Sequence, residues 1–198
     1  MADRKRALRR AALARRAGLS GPEQALAGRA LAGHAVRLAA RLRCDVVTAY
    51  AAVEPEPPTM AALEALRAAG VTVLLPVITG RALDWAPYEG SASLARTGLG
   101  LLEPTAGRLG VDAIATAGLV LAPAVLVDRA GHRLGRGGGF YDRALARTGA
   151  LAVAVVHDEE VVDELPHEPH DVVVAGALTP SGLTDLGGLT HLGGPPDP

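Results

Sequence analysis

A three-layer α/β/α, Rossmann-like domain with a mostly parallel sheet is the fold class that the 198-residue sequence predicts, and three observations predict it. The segments DVVTAYAAV (45–53) and VTVLLPVI (71–78) are apolar and β-branched, as strands buried on both faces are. Between them PEPPTMAALEALRAAG (55–70) reads as a Pro-rich turn and then a helix capped by Thr59 and closed by Gly70. Strand, helix and strand thus follow in the order of a right-handed parallel βαβ unit.

The remaining elements extend that pattern. Residues 4–17 have helical spacing, with Leu8, Ala11, Ala12 and Arg15 in register and Gly18 placed to end the run. SGPEQ restarts a helix that runs to about Arg43, with Ser20 or Gly21 as its cap and Pro22 in its first turn. LDWAPYEG (83–90) reads as an irregular or edge segment and GLGLLEP (98–104) as a loop. Residues 111–128 are strand-like but broken at Gly118 and Pro123, and LAVAVVHD (151–158) and DVVVAGALT (171–179) supply two more strands. The expected organisation is one domain over residues 1–180 and a flexible Gly/Pro-rich tail over 181–198.

Composition narrows the function classes. A net charge of -1 lacks the basic excess of a nucleic-acid or anionic-membrane binder. No apolar run approaches the ~20 residues of a membrane span. Cys44 is the single cysteine, which excludes an internal disulfide framework and fits a reducing cytoplasm. The Arg-rich N-terminus has two readings, the first helix of the fold or a targeting segment; the second helical pattern that follows without a break in composition favours the first.

The segment DRAGHRLGRGGG (128–139) joins a strand to a helix that begins near Phe140. Successive glycines can turn backbone N–H groups toward one point, and forked guanidinium groups from Arg133 and Arg136 suit phosphate. The chemistry this suggests is a nucleotide-triphosphate cradle; the competing reading is a glycine-rich surface turn. It is not a P-loop, because the glycines run into Phe140 rather than Gly-Lys-Ser/Thr, and its late position does not suit a dinucleotide fingerprint. Asp142 suits either a water-mediated Mg²⁺ contact or the helix dipole.

At this loop the sequence resembles the 5-formyltetrahydrofolate cyclo-ligase family, also called 5,10-methenyltetrahydrofolate synthetase. The resemblance rests on Pro123, Asp128, Gly131, Arg133, Leu134 and Gly135, then Gly137 to Arg143. It continues in order at Lys5, Leu8 and Arg9; at Tyr50, Glu56 and Thr59; at Leu75–Pro76 and Glu103–Pro104; and through LPHEPHD to Thr179. Phe140 stands where the family commonly has a tyrosine, Glu160 where glutamine is frequent, and Ala175 where an acidic residue is usual.

The resemblance implies an ATP- and Mg²⁺-dependent cyclisation of 5-formyltetrahydrofolate to 5,10-methenyltetrahydrofolate, in which the formyl oxygen takes the γ-phosphoryl group and N10 closes the ring as phosphate leaves. Lys5 and Arg136 would act on the transferring group. ATP would meet Lys5, Arg9, Arg133, Gly135, Arg136, Gly137, Gly138, Gly139, Phe140 and Asp142. The folate would meet Glu56, Trp85 and Tyr141, and Asp142 and Asp171 are the metal candidates. Lys5 and Arg9, four apart, would project from one helix face, and Lys5 is the only lysine of the chain. From the residues alone, Lys5 and Arg9 also read as a solvated helix face, Glu56 as a turn residue, and Trp85 and Tyr141 as core. The expected partners are the two substrates, with no nucleic acid and no membrane, for a monomer. Two other functions stay open: a non-catalytic nucleotide-binding module, and an ATP-using ligase for a different small formyl or carboxyl compound. His167, His170 and Asp171 cluster without a third firm metal ligand, so loop polarity accounts for them better than a transition metal.

Overall fold

In a computed structural model, which describes residues 1–168 and 171–189, the chain opens with helices α1 (Ala2–Ala17) and α2 (Gly21–Arg41). Next come β1 (Val46–Thr48), α3 (Met60–Ala68), β2 (Thr72–Thr79), β3 (Ala82–Pro87), β4 (Leu94–Arg96) and β5 (Leu102–Pro104). The second half holds β6 (Leu119–Pro123), β7 (Leu126–Asp128), β8 (Arg133–Leu134), α4 (Phe140–Leu145), β9 (Leu151–Val155), β10 (Val161–Val162), β11 (Gly176–Thr179) and β12 (Gly182–Asp185). Among the described residues no helix is long and apolar enough to cross a membrane.

The main sheet has the order β12-β11-β9-β6-β1-β2-β3, parallel through its five central strands and antiparallel at both edges. Side chains alternate between its faces, as the two-residue period of a strand requires. Leu119 and Leu121 of β6, with Val153 and Val155 of β9, meet Leu31, Ala35 and Leu38 of α2 and Leu63 and Leu66 of α3. Val120 and Ala122, with Ala152 and Ala154, meet Ala144 and Leu145 of α4 and Ile114 on the other face. These are the three layers. The start of α2 follows its sequence: Ser20 and Glu23 form a reciprocal capping box and Pro22 lies in the first turn.

Several elements differ from expectation for identifiable reasons. The strand expected over 45–53 ends at Thr48, because Thr59 draws the chain out of the ladder. Its hydroxyl donates to Tyr50 O at 2.6 Å and accepts from Ala52 N at 3.0 Å, so Thr59 pins this turn instead of capping α3. The strand expected from 171 begins at Gly176, since Val174 donates to Gly131 O at 2.8 Å across the hairpin of β7 and β8. Residues 111–116 form a 3-10 turn, and the 98–104 loop contains β5, paired with β4. The segment 83–90 contributes to the antiparallel edge strand β3.

The tail boundary at 181 also needs correction. β12 pairs antiparallel with β11, and Leu186 and Leu189 are buried. Gly188 lies against Ala175 so closely that a Cβ on it would fall 2.4 Å from the alanine Cβ, which gives the small residue at 175 a packing reason. Residues 190–198 of the expected tail lie outside the described residues.

Gly131 marks the tightest join between the β7–β8 hairpin and the main sheet. Its φ is +86°, and a Cβ there would lie 2.4 Å from Val174 O. Gly131→Ala is expected to lose at least ~1–2 kcal/mol from the backbone conformation alone, with a further loss from the displaced Val174 contact. A urea melt with a lower midpoint and an unchanged slope would show it.

Candidate active site

A cavity of about 440 Å³ opens at the carboxyl ends of β1, β2 and β6. From β1 the chain passes to β2 on one side and later to β6 on the other, so the β1–β6 boundary is a topological switch point, where open α/β sheets form crevices. Tyr50 and Ala51 leave β1 into one wall, and Pro123, Ala124 and Val125 leave β6 into the facing wall.

One half of the cavity is cationic. The helical rise brings Lys5 and Arg9 of α1 to the same wall, as their spacing predicts. Lys5 Nζ is 3.1 Å from Asp171 Oδ2, and Arg9 Nε donates to Gly135 O at 2.6 Å. Gly135 to Gly139 form the floor, with Gly139 in the left-handed region just before α4. Arg9 lies over Gly137, where a Cβ would come within 3.7 Å of the guanidinium carbon. The sequence-predicted loop and helix face therefore meet, although 126 residues separate Arg9 from Gly135.

Arg133 and Asp142 take different places from those expected of two free ligand contacts. The Arg133 side chain is 3% exposed, donates to Val172 O at 2.6 Å and pairs with Asp142 Oδ1 at 2.7 Å. It braces the glycine loop against α4 and the segment entering β11. Asp171 accepts from Lys5 and from Glu168 N, so it anchors the lysine. Among the described residues no group of three or more His, Cys, Asp or Glu side chains could hold a metal. His167 stacks on His132 with centroids 3.7 Å apart, while His170 lies outside the described residues.

The other half is apolar with one carboxylate. Pro76, Ile78, Leu83, Leu101, Leu102 and Phe140 line it, and Glu103 braces β2 by accepting from Ile78 N at 2.9 Å. Glu56 accepts from Val53 N at 3.1 Å and pairs with Arg136 at 3.2 Å. This pair joins the residue expected at the folate to the one expected at the phosphates. Tyr141 reaches the cavity, and its hydroxyl is buried without a hydrogen-bond partner. Burial, reinforced by the Glu56 charge, pushes its phenol far up.

Trp85 is the candidate that the structure places outside the cavity wall. It is fully buried among Leu74, Leu83 and Ile114, and its indole Nε1 is buried without a hydrogen-bond partner.

Sequence reasoning missed Tyr50 and Arg16 as cavity-lining residues, and Glu160 as the partner that holds Arg16. Tyr50 is 5% exposed and lines the cavity. Arg16, at the end of α1, closes a bidentate pair on Glu160 at 2.6 and 2.7 Å and donates to Ala124 O at 2.7 Å. Lys5, Arg9, Ala12 and Arg16 recur at helical spacing, a signal obscured by the four other arginines of α1 and its expected solvated face. Removing one partner of a buried pair strands the other, so Arg16→Ala is expected to cost ~3–5 kcal/mol in a denaturation midpoint. For Arg136 and Glu56, alanine substitutions singly and together are expected to be non-additive in substrate affinity by ~0.5–1 kcal/mol, as a double-mutant cycle would report.

The 5-formyltetrahydrofolate cyclo-ligase family model matches residues 1–180. A 5-formyltetrahydrofolate cyclo-ligase of Mycolicibacterium smegmatis is 44% identical over 142 residues, covering 68% of this chain and 73% of that protein. The Escherichia coli K12 protein of the same name is 29% identical over 173 residues, covering 84% and 95%. The NMR structure of Aquifex aeolicus 5,10-methenyltetrahydrofolate synthetase superposes with a TM-score of 0.74 at 25% identity, covering 92% of this chain and 93% of that one. With the family pattern running from α1 through the glycine loop to β11, the chain belongs to the 5-formyltetrahydrofolate cyclo-ligase family.

Proposed function

We propose that the chain catalyses the ATP-dependent cyclisation of 5-formyltetrahydrofolate to 5,10-methenyltetrahydrofolate, releasing ADP and phosphate. The observation that carries the reading is a single cavity with a glycine-floored cationic half and an apolar half holding one carboxylate. One half suits a triphosphate and the other a flat heterocycle bearing N–H donors.

ATP supplies the phosphoryl group that turns the formyl oxygen into a leaving group. The protein's task is positioning and charge neutralisation, with no covalent nucleophile needed. Lys5 and Arg9 hold phosphate oxygens from α1, while the loop's backbone N–H groups hold them from below. Arg133 contributes positive charge from its braced position behind Asp142. Arg136, 48% exposed, is the guanidinium free to swing between Glu56 and phosphate. Glu56 accepts the paired N–H donors of the reduced ring and fixes which face meets the phosphates. The apolar wall from Ile78 to Phe140 excludes water that would otherwise take the phosphoryl group.

Mg²⁺ fits this arrangement through Asp142. The ion needs only one or two carboxylates beside phosphate oxygens and water, and Arg133 engages Oδ1 alone. Asp171, tied to Lys5, is the weaker candidate. The same reading has a cytoplasmic monomer whose free Cys44 thiol suits a reducing compartment.

Purified protein mixed with 5-formyltetrahydrofolate, Mg²⁺ and ATP is expected to develop the absorbance of the methenyl product, and none when ATP is omitted. Nucleotide binding without product would instead select a non-catalytic module or another substrate. Asp142→Asn is expected to raise the Mg²⁺ concentration needed for half-maximal rate ~10-fold or more, by analogy with other losses of a charged contact. An unchanged Mg²⁺ dependence would remove Asp142 from the metal site.

A further inference from the structure

Tyr50 ends in a group for which the fold has no use. Thr59 grips its carbonyl, so the backbone that aims the side chain is fixed from the loop. The ring packs in the main core, yet the residue lines the cavity, and its buried hydroxyl has no hydrogen-bond partner. A buried hydroxyl left unpaired is destabilising relative to the same ring without it. If Tyr50 served packing alone, phenylalanine would serve better.

The charged groups around it are already engaged, and the nearby Tyr141 hydroxyl, also unpaired, is a second phenol on the cavity wall. Arg16 and Glu160 saturate each other, and Glu56 is held by Val53 N and Arg136. Burial, then the Glu56 charge, pushes the Tyr50 phenol well up, so it stays a neutral O–H at working pH. The cavity therefore contains an acceptor-only carboxylate and two neutral phenols able to donate, of which Tyr50, held at its carbonyl by Thr59, comes from the same turn as Glu56. A 2-amino-4-oxo pyrimidine edge has the complementary pattern: two adjacent N–H donors and, beside them, a carbonyl acceptor.

We propose that Tyr50 is a specificity-determining residue of the folate half-site, its phenol donating to the ring carbonyl next to the N–H pair that Glu56 accepts. This rests on the function proposed above. The phenol then gains its partner only when substrate binds, so the unliganded protein carries an unpaired group that the complex does not.

The test is Tyr50→Phe, which keeps the ring and removes one oxygen. Its apparent KM for 5-formyltetrahydrofolate is expected to rise ~3–10-fold, the range of one neutral hydrogen bond, with the KM for ATP unchanged. Its melting temperature without substrate is expected to equal or exceed that of the parent. The opposite signs separate this role from a structural one. Unchanged folate KM, an equal rise for both substrates, or a lowered melting temperature with folate KM intact would each overturn the assignment. Parent protein that neither turns over nor binds 5-formyltetrahydrofolate in calorimetry would overturn the proposed function and the Tyr50 role together. Turnover by the parent with no effect in the variant would overturn the second alone.

Discussion

Arg16 and Glu160 meet where neither is more than 2% exposed. Taking both charges out of water costs several kcal/mol per ion, and the attraction offsets this only with good geometry and all polar atoms engaged. Here the contact is two-pronged, Ala124 O takes a further guanidinium hydrogen, and His157 N donates to Glu160 Oε2 at 2.8 Å. The pair thereby ties the end of α1 to the corner after β6 and to the turn after β9. Because α1 buries few residues, chiefly Ala12 and Arg16, this tie rather than apolar area fixes the helix. Lys5 and Arg9, three and two turns earlier on the same face, inherit their position from it.

A second ion pair, Arg136 with Glu56, sets the relation between the half-sites. In the proposed complex each group would have a better partner in a bound substrate than in the other, since the carboxylate cannot give its full capacity to a ring while it neutralises the guanidinium. Phosphate that draws Arg136 away leaves Glu56 a stronger acceptor, and a ring that occupies Glu56 leaves Arg136 available to phosphate. Linkage makes such an effect equal in both directions. On the proposed roles, the two substrates would be connected by side chains that are 80 residues apart in sequence.

Much of this was legible in the sequence, for physical reasons that also mark where reading stops. The βαβ unit, the capping box at Ser20 and the glycine loop are local patterns, and local patterns carry their own geometry. The meeting of Lys5 and Arg9 with the loop came from a family resemblance, since no local rule links α1 to residue 135. Trp85 stands out in the sequence because aromatics are few, while the burial of its side chain on β3, outside the cavity wall, is a tertiary fact. Tyr50 escapes notice because a tyrosine in an apolar run reads as core; its place in the cavity wall together with the missing partner of its hydroxyl distinguishes it. The end of the fold was misplaced because Gly and Pro near 180 signal loops, yet Gly182 opens a strand whose pairing depends on β11.

That last strand has a consequence for the molecule's behaviour toward its own copies. Five parallel strands would leave two outer rows of unpaired N–H and C=O groups, open templates for another chain. The fold folds a short antiparallel strand back over each, β3 beyond β2 and β12 beyond β11. Neither is joined by a long crossover: Gly80 and Arg81 link β2 to β3, and Pro180 and Ser181 link β11 to β12. A chain shortened at 180 would keep its cavity residues but present the bare margin of β11, and would become prone to sheet-to-sheet association.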